Sequence, residues 1–330
     1  MKKISLVVSV FIIGLLAIPQ FLQLDAKTPD TPKPKRINKV VELLEQGQPI
    51  YYTGSGVGSG GGGFEDGVKL AQTWADFISY GMEHTPYDLP KLKEFMRGLV
   101  AGGPTKSGHR TPAVIVALPV GGIDEATMRA NYWMVQQILA TGVHGVLLCH
   151  ARSPEAVRQF VRAARYPFHR QGVDKGELEE GLRGSGGSGF AAEIWGISDA
   201  EYKKKADPWP LNPDDELVLG LKIEDIHALE NAEETAKVPG IAYSEWGSGD
   251  MTMSLGYIER PNRNPYPADV LQARARVMAA CKAANIAFLN GGITMDNIED
   301  MIREGVKIAS GANEAIADKG RRFTKRKMPW

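Results

Sequence analysis

Two carboxylates stand at the mouths of short apolar runs. Glu224 closes the run Leu217-Val218-Leu219-Gly220-Leu221-Lys222-Ile223. Asp250 sits in Trp246-Gly247-Ser248-Gly249-Asp250-Met251-Thr252, just past Ile241-Ala242-Tyr243-Ser244. The stretch between them, 225–237, is amphipathic. The order reads strand, carboxylate, helix, strand, Gly-rich turn, carboxylate. In a parallel β/α architecture this puts both acids at the C-terminal ends of neighbouring strands, where such folds keep their chemistry. With no His or Cys beside them, the pair suits a hard, oxygen-liking cation: Mg²⁺ or Mn²⁺ first, Co²⁺ or Zn²⁺ as further options. The plainer alternative is a pair of surface acids at loop starts.

Two further side chains fall near those strand ends. His84, in Met82-Glu83-His84-Thr85-Pro86, follows the run Phe77–Tyr80. An imidazole there is placed for proton transfer, since its ordinary pKa lies near neutrality; the alternative is a histidine merely satisfied by hydrogen bonds. Side chains two apart on a strand share a face, so Lys222 points the same way as Glu224. Held beside a cation-binding carboxylate, it is a functional group; a snorkelling structural lysine is the plainer reading. The Gly-dense run Gly54 to Gly63 contains a formal G-x-G-x-x-G at Gly58, Gly60 and Gly63. It lacks the Lys-Ser/Thr of a P-loop, and no acidic residue ends a second strand about 20 residues on, so it reads as a flexible rim loop.

The elements that position these residues alternate along the chain. The pattern predicts strands at Pro49–Thr53, Phe77–Tyr80, Ala113–Leu118, His144–Cys149, Leu217–Ile223, Ile241–Trp246, Ile286–Leu289 and Val306–Ala309. Helical patterns lie between them at 65–75, 89–100, 125–141, 154–164, 225–237, 267–284 and 295–304. Ser153-Pro154-Glu155 supplies an N-cap with Pro in the first turn. This interleaving predicts a single-domain α/β fold, a (β/α)8 TIM barrel over 37–320, with a doubly wound open sheet as the alternative. One insertion, 165–215, holds Gly184-Ser185-Gly186-Gly187-Ser188-Gly189 and a short helix near 198–206; a loop of that length is expected to serve as a lid or an oligomer contact.

The chain has 330 residues, 43% hydrophobic and 24% charged, an ordinary globular composition. Lys plus Arg balance Asp plus Glu at 39 each, which excludes a basic nucleic-acid footprint. The closing run Arg321-Arg322-Phe323-Thr324-Lys325-Arg326-Lys327 reads as a solvated basic tail, 321–330. Cys149 and Cys281 are the two cysteines, without zinc-type spacing. Cys149, within an apolar run, is expected to be a buried thiol, and a disulfide stays open. Lys2-Lys3 precede an apolar stretch, Ile4 to Leu24, followed by a charged Pro-rich linker over 27–36. That is the layout of a secretory signal over 1–26, with export to the periplasm or beyond as the expectation and retention as a membrane anchor by residues 4–24 as the alternative.

Several motifs then occur in one order: Glu83-His84-Thr85-Pro86-Tyr87-Asp88, Arg162-Ala163-Ala164-Arg165-Tyr166-Pro167, Leu182-Arg183-Gly184, Ile223-Glu224-Asp225 and Gly247-Ser248-Gly249-Asp250-Met251-Thr252. In these the chain resembles the HpcH/HpaI aldolase/citrate lyase family, and the likeness covers nearly the whole chain after the linker. The resemblance implies a (β/α)8 barrel, a homo-oligomer (usually a hexamer), and a divalent-metal-dependent retro-aldol cleavage of a small 2-oxo or hydroxy acid. By resemblance Glu224 and Asp250 are the metal-ligating carboxylates, His84 the acid/base, and Gly247, Ser248 and Gly249 the turn whose amides face the substrate carboxylate. Three departures accompany it. Leu118 stands where the family usually has an enolate-stabilising Arg, Gly81 replaces an Asp, and Lys222 replaces a Gln. Lys222, or Arg152 at the exit of the fourth strand, is then the candidate for the missing positive charge. The alternative function is an exported barrel, non-catalytic or of altered specificity, that binds a metal-chelating small acid.

Overall fold

The computed structural model describes residues 34–56, 61–258 and 266–329; the expected signal segment and part of the Gly54–Gly63 loop lie outside the described residues. Eight parallel strands form the barrel: β1 Ile50–Gly54, β2 Phe77–Gly81, β3 Ala113–Gly121, β4 Gly145–Cys149, β5 Leu217–Ile223, β6 Tyr243–Trp246, β7 Ala287–Asn290 and β8 Ile308–Ala309. Each pairs with the next, β4 pairs directly with β5, and β8 returns to β1, so the ring closes and the open-sheet alternative is excluded. A two-residue strand, Pro208–Trp209, adds to the outer start of β5.

Alternation along each strand sorts side chains between two cores. On β3, Val114, Val116, Leu118 and Val120 pack outward against the helices, while Ala113, Ile115 and Ala117 face the barrel axis. On β5, Leu217, Leu219, Leu221 and Ile223 pack outward. The inward set is Val218, Gly220 and Lys222, with Glu224 one step beyond the strand, as the period-two argument requires. The helices start where short polar side chains cap them. Asp88 accepts from Lys91 N, Ser153 from Ala156 N and Asp225 from Ala228 N. The expected helix over 225–237 is two short ones, Ile226–Glu230 and Ala232–Ala236, broken at Asn231. The turn carrying Asp250 continues into a further helix, Ser248–Ser254.

The insertion lies away from the barrel mouth. Its helices Ser188–Trp195 and Asp199–Lys205 pack at the N-terminal ends of the strands: Trp195 Nε1 donates to Gly142 O, its ring stacks on His144, and Tyr202 Oη donates to Leu139 O. It is a brace for the base of β4 and β5, not a lid over the mouth. The C-terminal run is a solvated tail only in part: Arg322, Lys325 and Lys327 are exposed. Arg321 belongs to the helix Glu314–Phe323, and Arg321 and Arg326 are buried with Lys39 around Asp76 at the base of the barrel. Burial would raise the Asp76 carboxyl, but Arg326 and Lys39 outweigh it and hold the group well below its usual value. A fixed buried anion draws these arginines inward. Both cysteines are buried and unpaired. Among the described residues no helix is long and apolar enough to cross a membrane.

Candidate active site

At the C-terminal mouth lies a polar cleft of about 370 Å³, lined by His84, Lys222, Glu245, the turn Trp246–Asp250 and loop ends after β7 and β8. Lys222 is its hub. The ammonium lies 2.6 Å from Glu224 Oε2, 2.8 Å from Glu83 Oε2 and 3.9 Å from Asp250 Oδ2. Burial alone would lower the Lys222 pKa, yet the acidic groups around it hold it above its usual value, so the lysine is a cation. Glu224 is fully buried, and its Oε1 accepts from His150 N at 3.0 Å. Burial pushes its carboxyl upward against the pull of Lys222. Glu245, inward-facing on β6 and in register with Lys222 on β5, is likewise raised by burial.

The backbone makes room for this crowding. A Cβ at Gly247 would fall 2.4 Å from Glu224 Cβ and 2.9 Å from Glu224 Oε2, so the turn after β6 closes on the carboxylate only because residue 247 is glycine. Beside the cleft, His150 follows β4 with φ 46, a conformation L-residues rarely hold. Its Nδ1 lies 2.8 Å from Asp225 Oδ2, which also accepts from Arg152 Nε at 3.0 Å. The Asp225 bond is the main cause of the raised His150 pKa. For Asp225 itself burial acts upward, but His150, the Ala228 amide and Arg152 outweigh it and hold the carboxyl well below its usual value. The His150 Nε2 is left 3.8 Å from Glu224 and 3.9 Å from Glu83.

The donor set fits a hard divalent cation. Glu83 Oε1 is a buried acceptor without an aligned hydrogen-bond donor, and Glu224 Oε2 is met by the Lys222 ammonium. Donor atoms of Glu83, His84 and Asp250 come within 4.8 Å of one another, as do those of Glu83, Cys149 and Glu224. Oxygens dominate both groups, the preference of Mg²⁺ and Mn²⁺.

Against known families, residues 70–315 match the model of the HpcH/HpaI aldolase/citrate lyase family. The chain belongs to this family. A hydroxypyruvate/pyruvate aldolase of Deinococcus radiodurans is 28% identical over 64% of this chain; the match spans 63% of that relative's own length. A 2-keto-3-deoxy-L-rhamnonate aldolase of Klebsiella pneumoniae is 28% identical over 48% of this chain and 52% of its own. Among solved structures, an HpcH/HpaI family protein of Burkholderia cenocepacia superposes with a TM-score of 0.63 at 22% identity, covering 88% of this chain and 97% of that one. That likeness carries the fold.

Within this HpcH/HpaI barrel, most of the sequence-derived site residues converge. His84, Lys222, Gly247, Ser248, Gly249 and Asp250 line one cleft, and Glu224 closes its floor through Lys222. The charge expected to be missing at β3 is missing, and one candidate does not fit. Leu118 is fully buried on the outer face of β3, so the inward position at that strand end is Ala117, and no side chain there brings charge. Arg152 is committed to Asp225 and is not part of the cleft lining. Sequence reasoning missed Glu83, Glu245, His150 and Asp225. Glu83 adjoins His84 in the quoted motif, and Glu245 was accessible by the alternation that found Lys222. The His150–Asp225 pair depends on a left-handed turn and a helix cap, which no spacing announced.

Proposed function

We propose that this protein is an aldolase-type carbon–carbon lyase that cleaves a small hydroxylated 2-oxo acid with the help of a divalent cation held by Glu224 and Asp250. The observation that carries the reading is the gathering of Glu83, Glu224, Asp250 and Lys222 at the C-terminal mouth of the barrel, over a cleft sized for a small organic acid. The names of the relatives, both acting on 2-oxo acids, support the substrate class. When bound, the cation supplies Lewis acidity toward the 2-oxo group.

The rest is the chain's own. The amides of Ser248 and Gly249 open the helix Ser248–Ser254 as first-turn donors without intrahelical partners, and orient the substrate carboxylate. His84 Nε2, at the rim, takes the proton of the 4-hydroxyl; its oxygen forms the carbonyl of the departing aldehyde as the C3–C4 bond breaks, the electron pair of that bond forms the enolate, and a proton returns to C3 to give the 2-oxo acid product. Association into a homo-oligomer is proposed from the family membership. The apolar segment 4–24 supports export.

A panel of 4-hydroxy-2-oxo acids, assayed for 2-oxo acid release with and without Mn²⁺, tests the reading. Cation-stimulated release that is lost in Glu224→Gln and Asp250→Asn is expected. Binding of these acids without any release overturns it in favour of a non-catalytic barrel.

A further inference from the structure

We infer that the Lys222 ammonium is the resident cation of this site, and that a divalent metal binds only by displacing it. The inference rests on Glu224 and Asp250 being the metal's carboxylates. Lys222 Nζ lies 2.6 Å from Glu224 Oε2, 2.8 Å from Glu83 Oε2 and 3.9 Å from Asp250 Oδ2, so it stands among the oxygens a divalent ion would use. Such an ion sits about 2.0–2.6 Å from its oxygen ligands. Ammonium and metal therefore compete for the same oxygens, and two cations within a few ångströms in a poorly solvated site repel strongly. Displacement is costly, because the turn after β6 lies close to the lysine stem: a Cβ at Gly247 would fall 3.2 Å from Lys222 Cε.

Charge balance gives the arrangement a purpose. Glu83, 12% exposed, and the fully buried Glu224 crowd together, and in the absence of metal an unpaired pair of carboxylates would strain the barrel mouth. Lys222 neutralises part of that charge permanently. The mouth is thus held together without a metal, and the metal becomes an exchangeable visitor rather than a structural component. A glutamine at 222 would offer no such charge.

The test is Mn²⁺ titration calorimetry, with melting curves in chelator and in Mn²⁺, on wild type, Lys222→Gln, Lys222→Met and Lys222→Arg. Removing the charge should tighten Mn²⁺ binding by about tenfold or more. Lys222→Arg should stay as weak as wild type. Chelator should leave the wild-type melting temperature unchanged, whereas both neutral variants should melt lower in chelator and recover with Mn²⁺. Lys222→Met keeps the apolar stem, so it serves if Lys222→Gln folds poorly. Neutral variants that bind Mn²⁺ no tighter than wild type overturn the inference. Adding Glu224→Gln and Asp250→Asn to Lys222→Gln separates the two readings. If that triple variant loses Mn²⁺ while Lys222→Gln shows no gain, the carboxylate site stands and the lysine is a bystander. If the triple variant binds as tightly as Lys222→Gln, the carboxylate assignment itself has failed and the inference falls with it.

Discussion

His84 is set apart from the other polar side chains of the cleft by its exposure: its side chain is 70% exposed, with Nε2 3.6 Å from Glu83 Oε2. A side chain so lightly held is costly to precision but free to meet a substrate hydroxyl. His84→Ala is expected to lower kcat about 10²–10⁴-fold, the ordinary contribution of an acid/base group, while leaving Mn²⁺ affinity within about twofold. Steady-state kinetics with a parallel metal titration checks both halves; a kcat loss below about threefold would make His84 structural. Legibility at this scale followed periodicity. The two-residue repeat found Lys222 beside Glu224 because a strand's side chains alternate whatever surrounds it. It equally described Glu245, two after Tyr243, but an acid inside the barrel is not expected where apolar layers are the rule. His150 and Asp225 were hidden for another reason: their pairing arises from a backbone turn with positive φ and from a cap, neither of which has a period.

At the level of elements, the insertion over 165–215 braces the base of the barrel rather than covering its mouth, and its packing on His144 makes it pH-sensitive. His144 opens β4 under Trp195, its Nδ1 accepting from Val114 N at 3.2 Å, and burial lowers its pKa from 6.5 to about 3. The unfolded chain takes up a proton on this residue near pH 6.5, while the fold refuses it until about pH 3. Below pH 6.5 the unfolded state therefore binds more protons, and stability is lost as pH falls. From this residue alone the loss is about 3 kcal/mol by about pH 4. Urea unfolding at neutral pH and at about pH 4 should show that loss in wild type and a smaller one in His144→Asn. An equal acid loss in both would remove His144 from the account. The eight strands themselves were legible to within three residues at each end, because buried parallel strands read as uninterrupted apolar runs between caps and glycines. The helix Ser248–Ser254 was not, since Gly-Ser-Gly-Asp carries the composition of a turn.

For the molecule as a whole, the two ends of the barrel carry opposite assignments. The base is closed by Asp76 with Arg326, Lys39 and Arg321, which ties the last turn of the chain to β2's approach. The mouth holds the exchangeable charges around Lys222. Arg326→Ala leaves Asp76 short of a buried partner and should cost about 3–5 kcal/mol of stability with kcat nearly unchanged, measurable by denaturant melts alongside turnover. Arg321 and Arg326 were misread from sequence as solvated because charge density alone does not reveal a buried counter-ion. The central claim is that the mouth of the barrel turns a 2-oxo acid into its enolate, and the most direct measurement needs no knowledge of the aldehyde. Exchange of the C3 protons of pyruvate and hydroxypyruvate with D₂O, followed by proton NMR in Mg²⁺, reports that step alone. Exchange faster than in Glu224→Gln by about 10²-fold or more is the predicted result. A wild-type rate equal to that of Glu224→Gln, or to buffer, would contradict the account.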